Sequence, residues 1–235
     1  MKAIIGGTGV DALDGIPLKR TMVQTLYGEV ELFVGDRLVF LPRHGSSHSL
    51  PPHLINYRAN VAALKDLGVD EAIGIYAVGS ISQALSPGEI GIVSDFVDFT
   101  GGGREHTFYT GGESGVHHIS MDDVFDALLR ERMSNLAPNL KDAGVYVCTN
   151  GPRLETKAEI NLYGRLGCDV VGMTLATEVS LLKEADIRCL ALAYSINWAA
   201  GVEQANVSFI GDEQIAVLKA EMTHLCCKAL LSCSN

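Results

Sequence analysis

Five basic side chains lie close together in the first quarter of a chain that is otherwise acidic. The segment LPRHGSSHSLPPHLINYRAN, residues 41–60, contains Arg43, His44, His48, His53 and Arg58. Histidine binds metals, arginine pairs with phosphate oxygens, and basic clusters contact nucleic acids. A metal site, a nucleic-acid patch and a pocket for one small anion are therefore the three chemistries to consider.

A zinc site fits the spacing poorly. His44 and His48 are four residues apart, but the glycine and prolines of RHGSSHSLPP prevent the regular helix that would place them on one face. The chain contains no HExxH motif. We expect no metal, and histidines on a polar surface loop remain the alternative to an anion pocket.

Composition argues against several other classes of function. The net charge of -10 leaves no broad basic face for DNA or RNA, so a small anionic ligand fits the local cluster better. No run of about eighteen apolar residues could span a bilayer, and the apolar start is too short for a signal peptide. Six cysteines without CxxC spacing predict reduced thiols, and a disulfide near Cys226, Cys227 or Cys233 is the alternative. We expect a cytoplasmic protein without nucleic-acid or membrane partners.

Short apolar runs alternate with helical patterns along the chain. Strands are predicted at 2–7, 38–45, 71–80, 90–100, 144–151, 169–173 and 189–197. Helices are predicted at 54–68, 155–167, 177–187 and 212–231. The alternation indicates an α/β fold with ligands at strand ends, and no linker divides the single domain expected over 1–235. Residues 100–122 lack periodicity and are predicted to form a long functional loop.

Polar groups follow several predicted strands. Thr8 in IIGGTGV, residues 4–10, could present a hydroxyl and backbone N–H groups to an anion, although a simple tight turn explains the glycines equally well. NGPRLETKAE, VVGMT and YSIN could converge on one pocket. Glu155 opens a predicted helix, where the dipole alone would favour a carboxylate. Asn197 ends an apolar run, where a buried amide needs partners that a ligand can supply.

Seven short motifs occur in order: GGTG, RHG, NYRAN, AVGS, NGPRLET, GMT and SIN. Together they resemble the purine nucleoside phosphorylase and methylthioadenosine phosphorylase family over essentially the whole chain. The resemblance implies a three-layer α/β sandwich around a mixed sheet, assembled as a trimer or hexamer with sites near subunit interfaces. It also implies cleavage of a purine nucleoside by inorganic phosphate to base and sugar 1-phosphate, without metal or organic cofactor.

The resemblance assigns phosphate binding to residues in or next to four predicted strands. Arg43 and His44 match the family's phosphate grip, together with Thr8, Tyr76, Ala77 and Thr174. Tyr76 stands where relatives have a small polar residue, and Thr177 replaces the proline that normally precedes Glu178. The basic cluster of the opening segment is thus interpreted as part of an anion site.

The resemblance also indicates which purine is bound. Asn197, Glu155 and Ala199 stand where enzymes for adenine nucleosides carry Asp, Ser and a second Asp, and Asn and Glu are typical of enzymes for 6-oxopurines. A carboxylate facing N1 of adenine would oppose two acceptors, at a cost of about 1–3 kcal/mol if buried. Asn197 and Glu155 would be the catalytic pair, with Met173 and Leu154, the latter in place of a usual phenylalanine, also contacting the substrate.

The sugar end suggests a different branch of the family. VSFIGDEQ, residues 207–214, matches the region over the 5′ position, where Phe209 and Ile210 are apolar instead of the histidine that binds a 5′ hydroxyl. NYRAN and REHTFY also look like the methylthio branch. The combination predicts an S-methyl-5′-thioinosine phosphorylase. The alternatives are a general inosine and guanosine phosphorylase, a methylthioadenosine phosphorylase, and a non-catalytic purine sensor.

Overall fold

A central sheet organises the computed structural model, which describes residues 1–7, 13, 15–45, 49–203 and 206–232. The strands within these residues are β1 Lys2–Gly6, β2 Lys19–Thr25, β3 Gly28–Val34, β4 Leu38–Pro42, β5 Glu71–Ser80, β6 Ile90–Asp98, β7 Lys141–Cys148, β8 Val170–Gly172 and β9 Arg188–Trp198. Their spatial order is β2-β3-β4-β1-β5-β8-β7-β6-β9.

The sheet is mixed, and part of it closes on itself. β1 runs parallel to β4 and β5, whereas β5 runs antiparallel to β8. β9 pairs with β5 on one side and with β6 on the other, so β5, β8, β7, β6 and β9 form a ring. β5 is buried along nearly its whole length, which explains its continuous apolar sequence. The ring brings the ends of β5, β8 and β9 close to one another.

The helices are α1 Tyr57–Asp66, α2 Ala127–Leu136, α3 Lys157–Arg165, α4 Leu175–Glu184 and α5 Asp212–Leu231. α1 contacts α4, and α2 contacts α5, which also contacts β1, β5 and β9. The side chain of Asn56 caps α1, and Thr156 with Glu159 forms a capping box at the start of α3. The predicted α/β sandwich around a mixed sheet is confirmed.

Several predicted boundaries were wrong. The hairpin of β2 and β3 and the helix α2 were not predicted at all. The helix predicted from residue 54 begins only at Tyr57, because a 3₁₀ turn at Pro52–Leu54 precedes it. The helix predicted from Glu155 begins at Lys157, so Glu155 lies before the N-cap Thr156. Residues 100–122 are irregular as predicted, apart from short 3₁₀ turns at Gly101–Gly103 and Gly112–Ser114.

The sequence also led to predictions about cysteines, metal sites and membrane-spanning segments. Every cysteine in the described part of the chain is free, and Cys233 lies outside it. The described side chains include no group of three or more metal-binding residues. Among the described helices, none is both long enough and apolar enough to cross a membrane.

Candidate active site

A cavity of about 170 Å³ lies where β5 and β9 end and β8 begins the turn to α4. It brings together side chains that are far apart in the sequence. Eight of the residues predicted for the site line it: His44, Ala77, Leu154, Glu155, Met173, Asn197, Ala199 and Phe209. Four others, Arg43, Tyr76, Thr174 and Ile210, do not line it, and Thr8 lies outside the described residues.

Glu155 reaches the cavity from the loop between β7 and α3. One carboxylate oxygen, Oε1, accepts a hydrogen bond of 2.6 Å from the hydroxyl of Thr149. Thr149 is buried and directly follows β7, whereas Glu155 is only partly buried. The Thr149 hydroxyl therefore fixes one oxygen of the Glu155 carboxylate. The carboxylate keeps further acceptor sites for a ligand.

Asn197 lies near the end of β9 and is buried. Its Nδ2 donates a hydrogen bond of 2.9 Å to the carbonyl of Trp198, which uses one of the two amide donors. A side chain at Gly79 would come within 3.2 Å of Nδ2, so the glycine leaves room for the amide. Ala199 is also buried, and its backbone N–H donates to Ser80, which ties the end of β9 to β5.

The segment after residue 206 pairs with β9 and contributes Val207 and Phe209 to the cavity wall. Phe209 forms an isolated antiparallel bridge with Asn197, and the N–H of Ile210 donates to the carbonyl of Ile196. This pairing places Phe209 in the cavity wall with Val207, whereas Ile210 does not line the cavity and packs against the main core. Among the described residues that line the cavity, His44 is the single histidine.

His44 follows β4 and is buried at the cavity edge. Its Nδ1 donates a hydrogen bond of 2.7 Å to the carbonyl of Leu50, since a carbonyl oxygen can only accept. The other nitrogen of the neutral ring is then an acceptor, so donation to an anion would require the imidazolium.

Arg43 is buried beside the cavity, in an ion pair. Its Nε and Nη2 donate to the two oxygens of Glu178 on α4 at 2.6 and 2.8 Å, and its Nη1 donates to the carbonyl of Ile75. Burial by itself lowers the pKa of Arg43, but the charge and hydrogen bonds of Glu178 outweigh it, and the net direction is upward. The fork of Arg43 is thus occupied by a carboxylate within the protein.

Tyr76 belongs to the same buried group. Its ring lies 4.5 Å from the guanidinium carbon of Arg43, and its hydroxyl donates to Oε1 of Glu178 at 2.6 Å. Burial, and then the negative charge of Glu178, raise the pKa of Tyr76 well above its usual value. The tyrosine fits because residue 74 is glycine: a side chain there would overlap the Tyr76 hydroxyl.

Thr174 is buried at the N-cap of α4, and its side chain makes no capping hydrogen bond. Its backbone N–H lies 3.5 Å from the hydroxyl of Tyr146, whose ring occupies the space left by glycine at residue 172. The first turn of a helix presents unpaired N–H groups and partial positive charge, which favour an anion. Thr174 therefore lies at a helix N-terminus, the kind of element that can bind phosphate.

Two buried polar residues of this region were not singled out in the sequence. One is Thr149. The other is Arg104, from the loop after β6, which donates to the carbonyls of Met173 and Asn150 at 2.6 and 2.7 Å and to Oδ1 of Asn150 at 3.0 Å. Arg104 is the first residue of the segment REHTFY, and Thr149 directly precedes NGPRLET. These motifs do not indicate which groups the two side chains bind by hydrogen bonds.

Comparison with known proteins agrees with this architecture. A model of the phosphorylase superfamily matches residues 3–232. A probable S-methyl-5′-thioinosine phosphorylase of Pseudomonas syringae pv. tomato is 41% identical over 223 residues, covering 90% of each chain. A 6-oxopurine nucleoside phosphorylase of Pyrococcus furiosus is 42% identical over 213 residues, covering 85% of this chain and 80% of that one.

A solved structure is similar as well. The methylthioadenosine phosphorylase of Schistosoma mansoni superposes with a TM-score of 0.86 at 30% identity, covering 100% of this chain and 92% of that chain. The match of the superfamily model spans nearly the whole sequence, and the Schistosoma enzyme shares the fold. The chain therefore belongs to the phosphorylase superfamily, and it is an enzyme of the purine nucleoside phosphorylase type, a pentosyltransferase.

Proposed function

We propose that this enzyme cleaves S-methyl-5′-thioinosine with inorganic phosphate, giving hypoxanthine and 5-methylthioribose 1-phosphate. The observation that carries the proposal is that a carboxylate, Glu155, and an aromatic wall, Phe209, line one cavity. The carboxylate suits a 6-oxopurine, and the aromatic wall suits a methylthio group. Glu155 alone would not distinguish methylthioinosine from inosine, and Phe209 alone would not distinguish it from methylthioadenosine.

The base is assigned from hydrogen-bonding capacity. Hypoxanthine has an N1–H donor and a carbonyl at C6, whereas adenine has an acceptor at N1 and an amino group at C6. Glu155 accepts the N1–H, and the amide of Asn197 donates to N7 or O6 of the same base. Ala199 offers no carboxylate for an exocyclic amine, and an adenine N1 facing Glu155 would leave two acceptors opposed.

The sugar is assigned from the wall above it. Phe209 and Val207 are apolar, and a 5′ hydroxyl against them would lose its water partner, at a cost of about 1–3 kcal/mol. A methylthio group has no such need, and sulfur packs favourably against an aromatic ring. The relative from Pseudomonas syringae bears the name of the same activity.

Phosphate is assigned to the side of the cavity next to α4. His44 and Ala77 line the cavity, and the N-terminus of α4 at Thr174 favours an anion. Arg43 stays assigned to the phosphate subsite as well, although Glu178 compensates its charge. Thr8 stays assigned to the same subsite from the sequence alone.

The mechanism follows from these placements. Phosphate attacks C1′ while the bond to N9 breaks, and the sugar passes through an oxocarbenium-like state as the purine leaves with the bond electrons. The proton that phosphate gives up on becoming an ester ends on the purine, which gives neutral hypoxanthine. Asn197 stabilises the charge that develops on the base, which acts mainly in the transition state. Holding phosphate and nucleoside in one cavity removes the entropy of bringing them together. Inorganic phosphate is the co-substrate, and no step calls for an organic cofactor.

Release of base from methylthioinosine, inosine, methylthioadenosine and adenosine, each with and without phosphate, tests the proposal. We expect the highest kcat/KM for methylthioinosine, with inosine about tenfold lower because of the hydroxyl penalty. Equal or better use of inosine would favour a general 6-oxopurine nucleoside phosphorylase, the named activity of the Pyrococcus relative. Preference for methylthioadenosine would favour the activity named for the Schistosoma enzyme. Binding of purine without turnover would indicate a sensor.

We further propose that the enzyme works as a homotrimer or as a hexamer. Leu162 of α3 and its C-cap Leu166 are 49% and 54% accessible, and Phe99, whose ring packs against Tyr163 of α3, is 44% accessible. Apolar side chains grouped on one face are typical of surfaces that are covered in an assembly. Sedimentation equilibrium gives the mass directly, and a monomer at micromolar concentration would rule this assembly out.

A further inference from the structure

We propose that Thr149 is a positioning residue that sets the preference for 6-oxopurines, by holding Glu155 as a hydrogen-bond acceptor. The inference rests on the proposed function, because it assumes that Glu155 faces N1 of the base. It adds a residue that makes no contact with the substrate. Thr149 lies behind Glu155 and is not among the side chains that line the substrate cavity.

The hydrogen bond is short and directional. Oγ1 of Thr149 lies 2.6 Å from Oε1 of Glu155, against 3.4 Å from the carbonyl of Gly172. The carboxylate is the closer acceptor, and a hydrogen bond to an ionised acceptor is stronger than one to a neutral carbonyl. The hydroxyl proton is therefore directed at Glu155.

A donor at one carboxylate oxygen has a consequence at the other. The hydroxyl occupies Oε1 and leaves the second oxygen to face the base, and an ionised carboxylate can only accept hydrogen bonds. The oxygen that faces the base then matches the N1–H of a 6-oxopurine. The N1 of adenine would need a donor at the same place, which Glu155 can provide only when it is protonated.

Thr149 itself is held firmly. It is buried, and its backbone N–H donates to the carbonyl of Gly172 at 2.8 Å, just past the end of the pairing between β7 and β8. Arg104 donates to the carbonyls of Asn150 and Met173, on either side of this junction. The hydroxyl thus projects from backbone that is fixed on both strands, as a positioning group requires.

The test replaces the hydroxyl by a methyl group of nearly the same volume. Thr149→Val is compared with Thr149→Ser, which restores the hydroxyl, and both changes are repeated in a Glu155→Gln background. For each protein we would measure kcat and KM for methylthioinosine and methylthioadenosine, the Kd of hypoxanthine and adenine by calorimetry, and Tm.

We expect Thr149→Val to lower kcat/KM for methylthioinosine and to weaken hypoxanthine binding by about tenfold each, while the values for the adenine compounds fall by less than twofold. Thr149→Ser should stay close to the parent. In the Glu155→Gln background the valine should add no further loss, because its effect acts through the carboxylate.

An equal loss for both bases, or a valine effect that is unchanged in the Glu155→Gln background, would show a purely structural role and overturn the inference. If Thr149→Val lowers Tm by more than a few degrees, Thr149→Ala repeats the comparison without added volume. The parent enzyme tests the proposed function separately. A parent that binds adenine better than hypoxanthine overturns both, whereas a parent that prefers hypoxanthine with an unchanged Thr149→Val variant overturns only the role of Thr149.

Discussion

The hydroxyl of Tyr76 donates a hydrogen bond of 2.6 Å to Glu178, although the two residues are 102 positions apart in the sequence. Arg43 donates twice to the same carboxylate, and all three side chains are buried. Removing one member of a buried ion pair leaves the other charge without compensation, whereas removing both charges leaves no such penalty. The group therefore contributes to the stability of the fold, and it lies next to the proposed phosphate subsite.

The first prediction concerns this ion pair. Arg43→Met should lower the free energy of unfolding by about 3–5 kcal/mol, because it leaves Glu178 buried and charged. Arg43→Met combined with Glu178→Gln should cost less than Arg43→Met alone. Urea unfolding of parent, single and double variants measures this. A double variant whose loss equals the sum of the two single losses would show that the pair is not coupled.

The second prediction concerns phosphate. His44→Ala should raise the KM for phosphate by about tenfold, the effect of losing one charge-assisted contact, and should change the KM for nucleoside much less. Steady-state kinetics with each substrate varied in turn separates the two constants. Arg43→Lys, which keeps the positive charge but not the fork, serves as the comparison. A larger effect of Arg43→Lys than of His44→Ala on the phosphate KM would assign the main contact to Arg43.

The third prediction concerns the leaving base. Asn197→Asp replaces an amide donor by an anion that faces a carbonyl oxygen, so kcat for methylthioinosine should fall by about 100-fold. The loss should appear in kcat and not only in KM, because the contact strengthens in the transition state. Adding Ala199→Asp should restore turnover of methylthioadenosine in part. Faster cleavage of methylthioadenosine than of methylthioinosine by the parent would contradict the assignment of these positions.

The fourth prediction concerns the 5′ end of the sugar. Phe209→His should narrow the preference for methylthioinosine over inosine by about tenfold, because the imidazole offers the hydroxyl a hydrogen-bond partner. The ratio of kcat/KM for the two nucleosides measures this. Ile210→His is the matched comparison, since Ile210 is adjacent in sequence but does not line the cavity. A greater change from Ile210→His would transfer the role to that residue.

The fifth prediction concerns alkaline pH. Burial raises the pKa of Cys148 and of Cys189 from an ordinary value of 9.0 to about 12. Between pH 9 and 12 the unfolded chain has lost these protons and the folded chain has kept them, so stability falls as pH rises. Each thiol should contribute a slope of about 1.4 kcal/mol per pH unit in that range.

Urea unfolding of parent and Cys189→Ala at several pH values from 8 to 11 checks the slope, which should be shallower in the variant. Both thiols should also resist a disulfide reagent until the protein unfolds. Rapid reaction of both in the native state would show that they are not buried.

The strands and helices with the clearest sequence signals were predicted well. The strand 71–80 and the helix 212–231 agree with β5 and α5 residue for residue, because one is a continuous apolar run and the other follows a glycine. The hairpin of β2 and β3 was missed because β2 is largely polar and exposed. Helix α2 was missed because it buries only Leu129 and Met133, too few for a recognisable period.

The candidate site shows where local reasoning stops. The sequence indicated eight residues that line one cavity, since most of their motifs lie at strand ends and those strand ends meet. It could not indicate that Arg43 pairs with Glu178, because the two are 135 residues apart and only the fold brings them together. The sequence did not point to Thr149, because its hydrogen-bond partner, Glu155, lies beyond a turn whose geometry the sequence does not specify.

Gly74 restricts the order in which residues 74 and 76 can be substituted. A side chain at 74 overlaps the hydroxyl of Tyr76, so that substitution is blocked while the tyrosine is present. Shrinking Tyr76 to a small polar residue first opens a hole beside Arg43 and leaves Glu178 with one donor fewer, which is costly but permitted. Any mutational path that adds a side chain at residue 74 must therefore change residue 76 first. The two positions are expected to form an epistatic pair, so exchanging residue 74 alone would misjudge its effect.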